Sequence, residues 1–283
     1  MIKLGSAGID PALCRLGLIG FCYDRNSSFI RGAAEAPPLI REALLSASSN
    51  LWTESGIDLG SPQIFFDAGD VAPKTNEEMT LEVEKSISAL LSASLRPVSL
   101  GGDHSITHSI IRALAKHHPN ISVLYFDAHP DLYDKFGERY SHACLCARIM
   151  EEKLVKRLVQ VGIRTINRHQ QDQAARFGVE VYEMAACRND LELTFETPVY
   201  ISIDLDALDP AYAPGVSHPE PGGLSTRQLI DMIHRVNQPV IGADIVEFNP
   251  YRDLGNMTAR VCAKMLKEVS AQMLRDTLPS VTA

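Results

Sequence analysis

The sequence predicts an α/β protein of three layers, with a mainly parallel sheet of about eight strands between helices. Apolar runs of strand length recur along the 283 residues, each followed by a polar turn and then a stretch with helical spacing. Several of these runs are continuously apolar rather than alternating, as strands buried on both faces of a parallel sheet require. No Gly/Ser-rich or Pro-rich linker divides the chain, so residues 1–283 are expected to form one domain.

Taken in order, the first strand is expected in RLGLIGFC (15–22), followed by APPLIREALLSAS, whose prolines suit the first turn of a helix. QIFFDAG (63–69) leads to NEEMTLEVEKSISALLSAS, acidic in its first turn, and RPVSL (96–100) leads to SITHSIIRALAKHH, which ends on cationic residues that favour a helix C-terminus. ISVLYFD (121–127), RLVQVGI (157–163), VEVYEM (179–184), PVYISIDL (198–205) and PVIGADI (239–245) complete the strands. In GGLSTRQ (222–228), Ser225 followed by Gln228 fits a capping box at the start of another helix.

Composition narrows the function classes. A formal net charge of -8 opposes binding to phosphate backbones or anionic lipid, so neither nucleic acid nor membrane is expected as a partner. No run approaches the roughly 18–20 apolar residues of a membrane span. Asp10, Pro11 and Arg15 interrupt any signal-peptide pattern near the N-terminus, and a cytoplasmic location is expected. Six cysteines are too sparse for a disulfide scaffold and are read as reduced. Cys144 and Cys146, beside His142, lack the second pair and the spacing of a zinc site.

The chemistry-bearing residues follow the strands. In open parallel sheets, ligands bind at the carboxyl edge, where the strand-to-helix loops emerge. After RPVSL comes GGDHS with His104, and after ISVLYF comes DAHPD with Asp127, His129 and Asp131. After VYISI comes DLDALDP with Asp204 and Asp206, and after IGADIV comes EFNP with Glu247. Read singly, GGDHS is a turn with Asp103 or Ser105 as N-cap, and DLDALDP a solvated turn. Read together, Asp127, Asp131, Asp204 and Asp206 on one edge repel one another unless cations are bound. Two divalent ions balance four carboxylates. Oxygen and imidazole donors without thiolate fit Mn(II), and less well Fe(II), Co(II) or Zn(II). Two such ions about 3.5–4 Å apart activate a water as nucleophile, so a binuclear metallohydrolase is predicted.

GGDHS, DAHPD and SIDLDALDP resemble, in order, the three metal-binding motifs of the ureohydrolases, the arginase and agmatinase superfamily. YSHACLCARIM, GVSHPEPGGLS and EFNPYRD look most like its plant-type arginases. The resemblance covers nearly the whole chain and implies the arginase/deacetylase-like fold. It implies two Mn(II) per subunit: one held by His104 and Asp131, the other by His129 and Asp206, with Asp127 and Asp204 bridging. It implies cleavage of the guanidinium group of L-arginine to urea and L-ornithine, in a single ureohydrolase catalytic domain. His142 aligns with a proton-shuttling histidine, Glu247 with the carboxylate that holds the guanidinium, and Asp131 stands with them among the catalytic residues. Tyr133 replaces the Asn by which animal arginases read the substrate's α-carboxylate, as it does in the plant-type branch, and is placed with Glu247 and His142 in the substrate site. Arg164, Asn167 and Arg148 are further candidates to meet that carboxylate. Agmatinase, or hydrolysis of another guanidino acid, is the alternative; a one-metal zinc deacetylase or a non-catalytic relative agrees less well with the full ligand set. A trimeric or hexameric homo-oligomer is expected from the same likeness.

Overall fold

A computed structural model of the chain describes residues 10–186 and 191–276. Eight strands form one sheet: β1 (Leu16–Phe21), β2 (Phe65–Val71), β3 (Arg96–Leu100), β4 (Ser122–Phe126), β5 (Arg157–Ile163), β6 (Glu180–Glu183), β7 (Val199–Asp204) and β8 (Val240–Val246). Every pairing is parallel, and the order across the sheet is β2-β1-β3-β8-β7-β4-β5-β6. The continuously apolar strands β1, β4, β7 and β8 are buried along their whole length. The polar-rich β2 and β6 occupy the two edges and are partly exposed, because an edge strand keeps one side in water.

Among the described residues seven α-helices follow the strands, one after each except β6: α1 (Ala36–Leu44), α2 (Asn76–Ser92), α3 (Ile106–His117), α4 (Leu145–Glu151), α5 (Arg168–Phe177), α6 (Thr226–His234) and α7 (Met257–Leu274). The period of two along a strand sends Leu124 and Phe126 into a core with Ile40, Ile233 and Val269 of α1, α6 and α7. It sends Val123 and Tyr125 to the other face, against Val83, Ile110 and Ile149 of α2, α3 and α4. The three layers are thus those the sequence predicts; α7 is buried along most of its length on all sides, whereas α5 buries only Gln170, Gln173 and Ala174. The capping box of Ser225 and Gln228 is present at α6. A second, formed by Asn167 and Gln170, opens α5.

The strand order positions the site. The chain lays β1 and β2 toward one edge and β4 to β6 toward the other, then returns to insert β7 and β8 between β4 and β3. The four strands followed by GGDHS, DAHPD, DLDALDP and EFNP are therefore consecutive neighbours. Phe126 pairs with Ile203, and Asp204 with Val246, so the residues after each strand emerge at one level.

Candidate metal centre and substrate cavity

His104 follows Gly101 and Gly102 at the end of β3. A side chain on Gly102 would collide with the Tyr23 carbonyl, so this turn requires glycine. Of the two capping readings of the turn, only that with Asp103 finds a hydrogen bond. Ser105 makes no side-chain cap, and Asp103 is buried, accepting from the backbone N–H groups of Asn26 (2.9 Å) and Ser105 (3.0 Å). The His104 ring is fully buried and stacked on Tyr125, with centroids 4.7 Å apart.

A hydrogen-bond chain fixes the His104 tautomer. Ser202 Oγ donates to Asp244 Oδ1 at 2.7 Å, so it accepts from His104 Nε2 at 2.8 Å. Asp244 is itself held by Tyr200 (2.7 Å) and Thr107 (2.8 Å). With its proton on Nε2, His104 turns the Nδ1 lone pair toward Asp127 Oδ2 (3.1 Å), Asp204 Oδ2 (3.1 Å) and Asp131 Oδ2 (3.8 Å). A second nitrogen, His129 Nδ1, lies 3.0 Å from Asp206 Oδ2 and 3.3 Å from Asp127 Oδ1.

Two ligand groups result, His104 with Asp127 and Asp131, and His129 with Asp127 and Asp206, and Asp127 is common to both. Asp204 sits on the His104 side. Asp127 Oδ2 is buried without a hydrogen bond, an arrangement that a cation relieves. The turn itself is strained there: Asp131 has φ +49°.

Protons show the same demand for positive charge. Burial and then the charge of Asp127 push Asp131 up to about 7. Burial, then Asp206 and Asp127, raise Asp204, and burial followed by Asp127 raises Asp206. Asp127 alone is held low, since His104 and His129 outweigh its burial. Four carboxyls and two imidazoles packed this closely bind either protons or metal.

A cavity of about 230 Å³ opens over this centre, lined among others by Ser28, Tyr133, Phe136, His142, His218 and Glu247. Glu247, at φ +63°, accepts from the His104 backbone N–H (3.0 Å) and lies 2.9 Å from His142 Nδ1, all through Oε1. Its Oε2 is buried with no partner. On the other side of the imidazole, Nε2 accepts the Ser28 N–H at 3.1 Å and lies 2.8 Å from Ser28 Oγ. Burial disfavours charge on His142, but Glu247 outweighs it and raises the ring to about 9. One nitrogen is thus offered a donor while a carboxylate draws the ring toward charge, which suits a group that takes up and returns a proton.

All residues expected in the site converge there. The further candidates for a carboxylate do not. Arg148 is buried and donates to the carbonyls of Asp134 (2.8 Å) and Arg139 (3.3 Å). Arg164 is taken up by the carbonyls of Gly162, Asp206 and Glu220. Asn167 Nδ2 donates to Tyr133 Oη at 2.6 Å, which leaves the tyrosine's own proton free to turn to another acceptor. Among the described residues, no arginine or lysine lines the cavity.

Sequence reasoning missed Ser28 and His218, whose rings and hydroxyl cluster with His142: the His218 and His142 centroids are 5.2 Å apart. GVSHPEPGG displays His218, but nothing in its spacing ties it to a metal motif. Cys144 and Cys146 belong to neither ligand group, and the five described cysteines are free; Cys187 lies outside the described residues.

Comparison with known proteins agrees with this geometry. The arginase family matches residues 14–271. The chain is 44% identical to "Arginase 1, mitochondrial" of Arabidopsis thaliana over 94% of its length and 83% of the relative's. It superposes on the solved arginase of Medicago truncatula with a TM-score of 0.88 at 40% identity, covering 92% of this chain and 88% of that one. The agmatine ureohydrolase of Thermoplasma volcanium gives a TM-score of 0.84 at 30% identity over 99% and 97% of the two chains.

Proposed function

This chain belongs to the arginase family and is a hydrolase of the ureohydrolase type, and from that premise we propose that it cleaves the guanidinium group of L-arginine to urea and L-ornithine with two Mn(II) per subunit. The observation that carries the proposal is the pair of ligand groups sharing Asp127, placed beneath a free, buried Glu247 oxygen in one cavity. Imidazole and carboxylate donors without thiolate fit manganese. His104 and Asp131 are assigned to one ion, His129 and Asp206 to the other, and Asp127 and Asp204 to both. When bound, such a pair lowers the pKa of a water toward neutral and so supplies the nucleophile.

The chain's own groups do the rest. Glu247 orients the guanidinium through its free Oε2, a charged acceptor for the guanidinium N–H groups. Water oxygen adds to the guanidinium carbon, the bond from that carbon to the side-chain nitrogen breaks, and both protons of the water finish on the departing amine. His142, 2.9 Å from Glu247, holds a proton in transit and returns it to that nitrogen. Asp131, which accepts from Tyr125 Oη at 2.6 Å, acts with His142 and Glu247 on the reacting groups. Tyr133 serves the amino-acid end of the substrate with the proton that Asn167 leaves free.

The second reading is an agmatinase. It is favoured by the lack of a lining arginine or lysine, since agmatine brings no carboxylate to read. Arginine is preferred because the nearer relative is named an arginase. Exposed Tyr251, Leu254 and Met257, close in sequence after β8, support assembly into a trimer or hexamer. A cytoplasmic location is supported by the free thiols, and no helix among the described residues is long and apolar enough to cross a membrane; the Arabidopsis relative is by name mitochondrial.

Calorimetric titration of Mn(II) into chelator-stripped protein tests the centre. Asp131, Asp204 and Asp206 have raised pKa values without metal, so at neutral pH the ions must displace protons. Two ions per chain are expected, with heat that depends on buffer ionisation and affinity that falls as pH drops from 8 to 6. One ion per chain, or binding indifferent to pH, contradicts the assignment.

A further inference from the structure

A second cavity, of about 200 Å³, lies on the surface between α1 and α7, far in sequence from the ligand groups, and is lined by Ser48, Ser49, Arg260, Lys264 and Lys267. Three cations in one small cavity are unexpected on a chain with a net charge of -8. The sequence dictates their placing, because Arg260, Lys264 and Lys267 recur at helical spacing along α7 and share one face.

Their partners differ. Lys264 is neutralised by Glu54 (2.8 Å) and Glu268 (2.6 Å). Glu268 is also held by His234 (2.9 Å), and Glu54 by Arg227 (2.8 Å), so both carboxylates are committed. Lys267 is 8% exposed, yet its ammonium meets only Asn50 O at 3.2 Å and Ser49 Oγ at 3.4 Å. Arg260 reaches only Ser48 Oγ. Among the described residues neither cation forms an ion pair. Glu42 lines the adjoining cavity with Arg260 but does not pair with it.

A buried ammonium without a counter-ion is unfavourable unless an anion completes it. We propose that this cavity binds a small oxyanion of phosphate type, either free phosphate or the phosphoryl group of a small metabolite. Lys267 and Arg260 supply the charge, and the Ser48 and Ser49 hydroxyls act as donors once their present partners turn to the anion. The several acceptor oxygens of a tetrahedral oxyanion suit donors that come from both the α7 face and the loop after α1. Burial, and then the charge of Lys264, hold Lys267 below its ordinary pKa against the pull of Glu268 and Glu54, which are already committed to other cations.

The test is thermal melting of the manganese-loaded chain in inorganic phosphate, in glycerol 3-phosphate and in chloride at matched ionic strength. The wild type is expected to gain about 3 °C in one or both phosphates over chloride. Lys267→Met is expected to melt higher than wild type in chloride, because a buried unpaired charge is gone, and to lose the phosphate response. Arg260→Gln is expected to weaken the response without changing the chloride midpoint, and it carries the test if Lys267→Met does not fold. A response to glycerol 3-phosphate alone assigns the site to a phosphoryl metabolite; a response to both assigns it to the anion itself. No wild-type response, an equal response in both variants, or a change of assembly size in the variants, which would mark a second copy's carboxylate as the occupant, overturns the proposal.

Discussion

Asp127→Asn is expected to lower kcat for urea release by at least about a thousandfold, equivalent to the several kcal/mol that a metal pair contributes to such a transition state. The change preserves shape and hydrogen bonding to the His129 backbone N–H, which now reaches Asp127 Oδ1 at 2.5 Å. What it removes is a charge and one of two ligand oxygens. Both ligand groups depend on that side chain, since its oxygens lie 3.1 Å from His104 Nδ1 and 3.3 Å from His129 Nδ1. Replacing His104, Asp131, His129 or Asp206 damages one group, whereas this damages two. The check is activity together with elemental analysis. A variant that keeps two ions per chain and activity within tenfold of wild type would show that Asp127 is not the shared ligand.

Glu247→Gln is expected to lower kcat/KM by roughly 30-fold to several thousandfold, the range for truncating one side of a buried, hydrogen-bonded charge pair at about 2–5 kcal/mol. Glutamine keeps the acceptor that receives the His104 N–H at 3.0 Å but presents an amide where the guanidinium needs a charged acceptor. A second effect separates this role from simple binding. Burial pulls the His142 pKa down and Glu247 is the chief influence that raises it, to about 9. Removing the carboxylate therefore lowers the pKa of His142, and since the imidazolium is the form that gives up a proton, the alkaline limb of the kcat profile should move to lower pH. An unchanged limb together with unchanged kcat/KM would remove Glu247 from the site.

Much of this was legible because the residues that do chemistry follow strands whose apolar runs are unmistakable. ISVLYF and VYISI mark their own ends, and the acids come immediately after. Strand order was not legible: nothing local says that β8 inserts beside β3, and it is this insertion that brings Glu247 to His104 and His142. Ser28 and His218 escaped because they lie on loops without period, and their roles arise only from contact with His142. Ser202 and Asp244 lie inside strands, where no local pattern ties them to His104, yet they set its tautomer. Conversely, an arginine that clamps backbone carbonyls, as Arg148 and Arg164 do, has the same local sequence as one that faces a ligand. Only the fold separates them.

L-arginine is proposed as the substrate on the likeness to named arginases, although among the described residues no arginine or lysine lines the cavity. Recognition of the α-carboxylate then falls to neutral donors, with Tyr133 foremost, held at 2.6 Å by Asn167. Such donors suffice where the rest of the cavity excludes water, because a buried acceptor left unpaired is strongly penalised. The most direct measurement is steady-state urea release by the manganese-loaded protein from L-arginine, agmatine and 4-guanidinobutyrate. The account predicts the highest kcat/KM for L-arginine, whereas a highest value for agmatine would contradict it.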